Sequence, residues 1–191
     1  MANNIVTFGL KNVHYSKATL NSTDGTWTFA SPVELPGAQE FSSDLVGSSS
    51  QVYADDQVVA TLNQNAGRTI SLKVTELTDE FKTDILGYKK LDNGNIVEIT
   101  NAEVVTFALG FELQGDAKAR RTWFYLCTCA PINEATKSKA DSVEANAITL
   151  SITARPIAID ADNYTTHITA SKGDANYATF LSVAPVLPVL K

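Results

Sequence analysis

At Thr78 the sequence changes period. Before it, Ile70, Leu72 and Val74 alternate with Thr69, Ser71, Lys73 and Thr75, the two-residue period of a half-buried strand. After it, Phe81 and Ile85 lie four apart with Leu86 beside them, which is the spacing of one apolar helix face. Thr78 supplies an N-cap hydroxyl, Asp79 and Glu80 suit the positive end of a helix, and Gly87 suits its termination. A helix of about two and a half turns is too short to persist alone. Phe81, Ile85 and Leu86 must therefore dock it on a sheet. The rest of the chain follows a β grammar, so the expected fold is mainly β with one short α-helix.

The strands before and after this switch follow from turn signals. Residues 51–54 turn at Asp55 and Asp56 into residues 58–62, a hairpin. Gly47-Ser-Ser-Ser50 reads as a small polar loop and residues 63–67, Asn-Gln-Asn-Ala-Gly, as a turn. Asp92-Asn-Gly-Asn95 is a hairpin signal leading into strands at residues 96–99 and 104–113. Residues 120–129 form the most apolar strand, residues 133–145 a polar exposed loop, and residues 147–155 a cleanly alternating strand. Residues 1–24 read as an extended N-terminal arm with a short strand at Val13, His14 and Tyr15. Residues 25–160 read as the β domain and residues 161–191 as a C-terminal extension. Its apolar end, Ala184-Pro-Val-Leu-Pro-Val-Leu190, is expected to dock on the domain or on a neighbour.

Composition removes several function classes. The chain has 191 residues and a formal net charge of −6; stable nucleic-acid binders carry basic stripes instead. No apolar run approaches the roughly 20 residues of a membrane helix. The first residues have neither the basic nor the apolar stretch of a signal peptide, so folding in a cytoplasm is expected.

Catalytic and metal signatures are equally scarce. Two histidines, His14 and His167, stand apart from each other and from any nucleophile motif. Neither Gly-rich phosphate-loop pattern occurs. Cys127 and Cys129 face the same way on a strand, a poor disulfide geometry, and read as small buried hydrophobes. Asp55 with Asp56, and Asp160 with Asp162, are acid pairs at turns without calcium-loop spacing. Arg120 and Arg121 read as partners of acids or of a neighbouring subunit. No enzyme activity, cofactor or metal is expected.

The order of certain segments resembles a known family. These are Phe8-Gly-Leu-Lys-Asn-Val-His-Tyr15, Pro36-Gly-Ala-Gln-Glu40, Tyr53-Ala-Asp-Asp56, Glu76-Leu-Thr-Asp-Glu-Phe81, Ile85-Leu-Gly87 and Ala119-Arg-Arg-Thr-Trp-Phe-Tyr125. Over roughly residues 5–160 the chain is similar to the major tail proteins, or tail tube proteins, of long non-contractile-tailed (siphovirus-type) bacteriophages of Gram-positive hosts. The resemblance implies a tail-tube-type β-sandwich or barrel with extended terminal arms. It also implies hexameric rings stacked into a tube in the virion, made in the host cytoplasm, through which the genome leaves. Implied partners are further copies of the chain, a tape measure protein inside the tube, and tail-terminator and distal tail proteins. Double-stranded DNA would pass without specific binding, and no membrane is involved.

Physical reasoning adds site residues. The polar stretch from Ala38 to Gln51, with Gln39, Glu40, Ser42, Ser43, Asp44, Ser48, Ser49 and Ser50, is expected to make ring-to-ring contacts together with the N-terminal arm. Asp55, Asp56 and Glu98 are candidates for an acidic lumen, because negative charge repels DNA phosphate. The main alternative is a monomeric β-sandwich binding or adhesion module, with Tyr53, Trp123 or Tyr125 as an aromatic platform.

Overall fold

The computed structural model describes residues 9–54, 57–116, 118–132 and 147–190. Its strands, in chain order, are β1 (Leu10–Leu20), β2 (Trp27–Phe29), β3 (Val33–Glu34), β4 (Ala38–Ala54) and β5 (Gln57–Val74). Helix α1 (Asp79–Asp84) follows, then β6 (Lys89–Lys90), β7 (Ile96–Val97), β8 (Thr106–Leu113) and β9 (Arg121–Cys129). The chain ends with β10 (Ile148–Ala154), β11 (Ile157–Ala158), β12 (Tyr164–Thr165), β13 (His167–Ala170) and a 3-10 turn at Tyr177–Thr179. The fold is mainly β, as the alternating strands and single helix signal predict.

Nine of the described strands form one antiparallel sheet in the order β2-β1-β8-β9-β10-β5-β4, with β3 joining β1 and β13 joining β9. β9 is its centre and its fork. Arg121 to Phe124 pair with β13, whereas Cys127 to Cys129 pair with β10. Between them Leu126 takes a positive φ of 43°, rare for a bulky side chain. This bulge shifts the alternation, so Phe124 and Cys127, three residues apart, both join the main core.

The sheet curls so that its β4 end folds over its middle strands. Phe41 of β4 lies 4.3 Å from Phe111 of β8 and 5.8 Å from Phe124 of β9. Helix α1 closes this core: Phe81 is fully buried, edge-on to Tyr15 at 5.1 Å and to Phe107 at 6.1 Å. Thr78 caps the helix by accepting from the Phe81 N–H at 3.2 Å, and Ile70, Leu72 and Val74 of β5 are fully buried beneath it.

The opposite face of β8 and β9 is buried too, which explains the unbroken apolar run of β9. Trp123 and Tyr125 point to this side and are covered by the C-terminal segment through Phe180, Leu181 and Leu187. Trp123 donates its indole N–H to the Phe180 carbonyl at 2.7 Å, and the Tyr125 hydroxyl donates to the Val186 carbonyl at 2.8 Å. Trp123 lies flat against Gly110, where an added Cβ would come within 2.7 Å of the ring.

Several expectations need correction. Gly47 to Ser50 are not a loop but part of β4, and residues 63–67 are not a turn but part of β5. The stretch from Ala38 to Gln51, expected as a flexible loop, is strand throughout. The polar runs lack alternation because Gly47 to Ser50 and residues 64–66 are exposed one after another. The expected short strand at residues 13–15 is the middle of the 11-residue β1, a full partner of β8. The exposed loop expected at 133–145 lies outside the described residues.

Candidate assembly surface

Pro156 decides where the unusual part of this molecule begins. β10 runs alongside β5 from Ile148 opposite Val74 to Ala154 opposite Arg68. Pro156 has no N–H with which to extend the ladder. From there outward β4 and β5 pair only with each other, Val46 with Gly67 through Ala54 with Gln57. The result is a two-stranded arm roughly 35 Å long at about 3.3 Å per residue. A register shift at Val46 and Gly47 marks its root. There Gly67 takes a φ of 129° and approaches the Ala154 carbonyl so closely that a Cβ would lie 2.4 Å from it.

Nothing in the described structure covers either face of this arm. Leu45 is 58% exposed, Tyr53 65% and Val59 62%, with Val46 and Val58 also exposed. Val58 and Val59 are adjacent and so point to opposite faces; both faces therefore carry apolar side chains. β4 is the last strand in the order, so its outer edge is unpaired among the described residues.

The eight expected contact residues all lie on β4. Gln39, Glu40, Ser42, Ser43 and Asp44 sit beside the body, and Ser48, Ser49 and Ser50 sit on the arm opposite residues 62–64. Seven are exposed; Ser43 is half-buried and accepts from Arg68 at 3.2 Å. Phe81 and Ile85 are buried in the main core and Leu86 packs against it. Of the lumen candidates, Asp55 and Asp56 lie outside the described residues. Glu98 is exposed just after β7, on the rim of a crevice that also holds Tyr88, Glu103 and Cys129.

Several charged groups at the sheet are tied down. Glu112, only 6% exposed at its side chain, binds Lys11 and Arg121 at 3.0 Å and accepts from Asn12 at 3.0 Å. Burial alone would raise its pKa, but the hydrogen bonds from Lys11, Asn12 and Arg121 bring it below the usual carboxylate range. Arg121 also donates to the Tyr177 carbonyl at 2.6 Å and stacks over that ring at 4.2 Å. One guanidinium thus fastens the C-terminal turn to the sheet. Arg120 is held by Asp116 at 2.6 Å. Asp160 organises its own turn, accepting from the backbone of Asp162 and Asn163.

Catalytic geometry does not assemble among the described residues. They contain no group of three or more His, Cys, Asp and Glu able to hold a metal. Cys127 and Cys129 are free thiols on the main core. Burial raises the pKa of Cys127 and pushes Cys129 up to about 12, which suppresses the reactive thiolate. His167 stacks on Phe124 at 5.3 Å, and burial, then the nearby Arg68 charge, lowers its pKa. Trp123 and Tyr125 are buried, so they form no aromatic platform; Tyr53 stands alone on the arm. No described helix is long and apolar enough to cross a membrane.

The outer hairpin, residues 51–54 with 58–62, was legible from its turn, but its inward continuation was missed because those residues lack alternation. The available signal was the position of Pro156, which ends the neighbouring strand. No protein-family model matches the chain, and no curated protein matches it either.

Proposed function

We propose that this chain is a structural subunit that polymerises with itself, as stacked rings forming the tail tube of a long non-contractile-tailed bacteriophage. The observation that carries this reading is the two-stranded arm. An isolated hairpin is at best marginally stable in water, and this one presents apolar side chains on both faces and an open edge on β4. A surface of this kind favours burial against another chain. A head-to-tail contact, repeated, extends without limit.

Hexameric rings, a place in the virion, a tape measure protein inside and terminator and distal tail proteins at the ends come from the family resemblance. The charge supports a conduit: each copy contributes −6, and an acidic bore repels phosphate where a basic one would bind it. The rival, a monomeric binding module, loses two of its three platform aromatics to the core.

The test is electron microscopy of the purified chain beside a variant with a shortened arm. Removing residues 47–50 together with their partners 62–65 takes out four paired positions on each side and spares the body. The full chain is expected to form rings or tubes, and the shortened chain to remain folded, dispersed particles. Normal tubes from the shortened chain would refute the role given to the arm.

A further inference from the structure

Arg68 stands out among the arginines packed against the sheet. Arg120 and Arg121 each hold a carboxylate. Arg68 is half-buried, makes one hydrogen bond, from Nη1 to the Ser43 hydroxyl, and has no ion-pair partner among the described residues. Its Nε is buried with no hydrogen-bond partner at all. A buried donor left unsatisfied costs about 1–3 kcal/mol, more when charged. Its other close neighbour is His167, an imidazole that carries no negative charge and is held towards its neutral form by burial and by Arg68 itself. This end of the molecule is thus a guanidinium fork lacking its acid, at the root of the arm.

The acid lies at the other end of the same strand. Beyond Val74 the chain lines an open groove with Pro36, Gly37 and residues 75–80, about 650 Å³ in volume. Glu76, Asp79 and Glu80 on its rim are exposed, and none has an ion-pair partner among the described residues. Eight residues separate Arg68 from Glu76, roughly 25 Å of strand, so the two charges cannot meet within one copy. When copies stack in one orientation, the arm-bearing pole of each faces the opposite pole of the next. That places an unpaired guanidinium against an unpaired acidic groove.

Resting on the self-assembly reading above, we infer that Arg68 is a carboxylate receptor filled by the Glu76–Glu80 rim of the next copy in the stack. A planar guanidinium holds a carboxylate in a fixed plane through its terminal N–H groups, which would supply the missing counter-charge and fix the orientation of the stack. The arm then lies along the flank of that next copy, covering its own exposed valines.

Complementary variants test this. Arg68→Gln removes the receptor's charge and leaves the groove; Glu76→Gln with Glu80→Gln removes the groove's charge and leaves the receptor. Thermal unfolding confirms that each folds, and Arg68→Met, neutral and of similar length, replaces Arg68→Gln if that variant does not. Sedimentation velocity at low salt is expected to show open-ended association of the native chain. Each variant alone should associate at least tenfold more weakly, and their equimolar mixture should form dimers and stop, because one productive junction remains per pair. Native-like association of both variants would overturn the inference and leave the assembly reading standing. A mixture that stays monomeric while the native chain associates would also overturn it. Dimers in the mixture, with native assemblies that are not tubes, would keep the junction and refute the tube. A native chain that never associates would refute both.

Discussion

The body and the arm of this protein are built from the same two strands and obey opposite energetics. From Arg68 to Val74, β5 lies between β4 and β10, and Ile70, Leu72 and Val74 are fully buried. From Gln57 to Gly67 the same strand has one neighbour, and its exposed valines face water. At about 25 cal/mol per Å² of apolar surface buried, the first half gains what the second forgoes. The β4–β5 ladder runs through both halves. The difference teaches that the ladder sets shape, while burial decides whether that shape is stable alone. In the assembly proposed above, another copy of the chain supplies the burial that the arm lacks.

The comparison breaks first if the body is not the seat of stability. Trp123→Ala removes a large buried ring and its bond to the Phe180 carbonyl. It should cost about 3–5 kcal/mol and lower the melting temperature by roughly 10 °C or more. Phe81→Ala, which uncouples the helix from Tyr15 and Phe107, should cost a similar amount in the same assay. An unchanged melting temperature for either would show that the core is elsewhere.

Glu112 sharpens the same contrast at its polar centre. Glu112→Ala leaves Arg121 and Asn12 without their carboxylate; because Lys11 is half exposed, the expected loss is about 2–3 kcal/mol. Denaturant unfolding measures it. The folded-state pKa of this carboxylate is depressed, so its contribution is full above the ordinary value of about 4.3 and lost as pH falls below it. His167 acts in a separate window. Its pKa is also depressed, but for an imidazole this means the unfolded chain takes up the proton first. Stability should therefore decline as pH drops below about 6.5, and His167→Phe should flatten that part of the profile without altering the carboxylate part.

The smallest effect on stability belongs to the arm. Val59→Thr and Tyr53→Ser change side chains that are 62% and 65% exposed, and each should stay within about 0.5 kcal/mol of the native chain. Both should weaken self-association measured by sedimentation. A large loss of stability with unchanged association would reverse the roles of the two regions.

What the residues disclosed in advance divides along the same line. The period of β5 near the core, the Thr78 cap, the apolar face of α1 and the shared face of Cys127 and Cys129 were legible because burial selects side chains by face. Gly47 to Ser50 and residues 63–67 were misread because strands solvated on both faces have no period to display. The fork at Leu126 was invisible, since no glycine announces its positive φ. The pairing of Arg121 with an acid was anticipated from its type, but its grip on Tyr177, 56 residues away, comes from topology alone.

Amide hydrogen exchange, followed as the concentration of the purified chain is raised, tests the central claim most directly. The account predicts rapid exchange over residues 45–54 and 57–67 in the dilute monomer, beside strong protection from Ile70 to Val74, with protection spreading outward along the arm as copies associate. An arm protected as strongly as the body in the monomer, or one that gains no protection at any concentration, would contradict it.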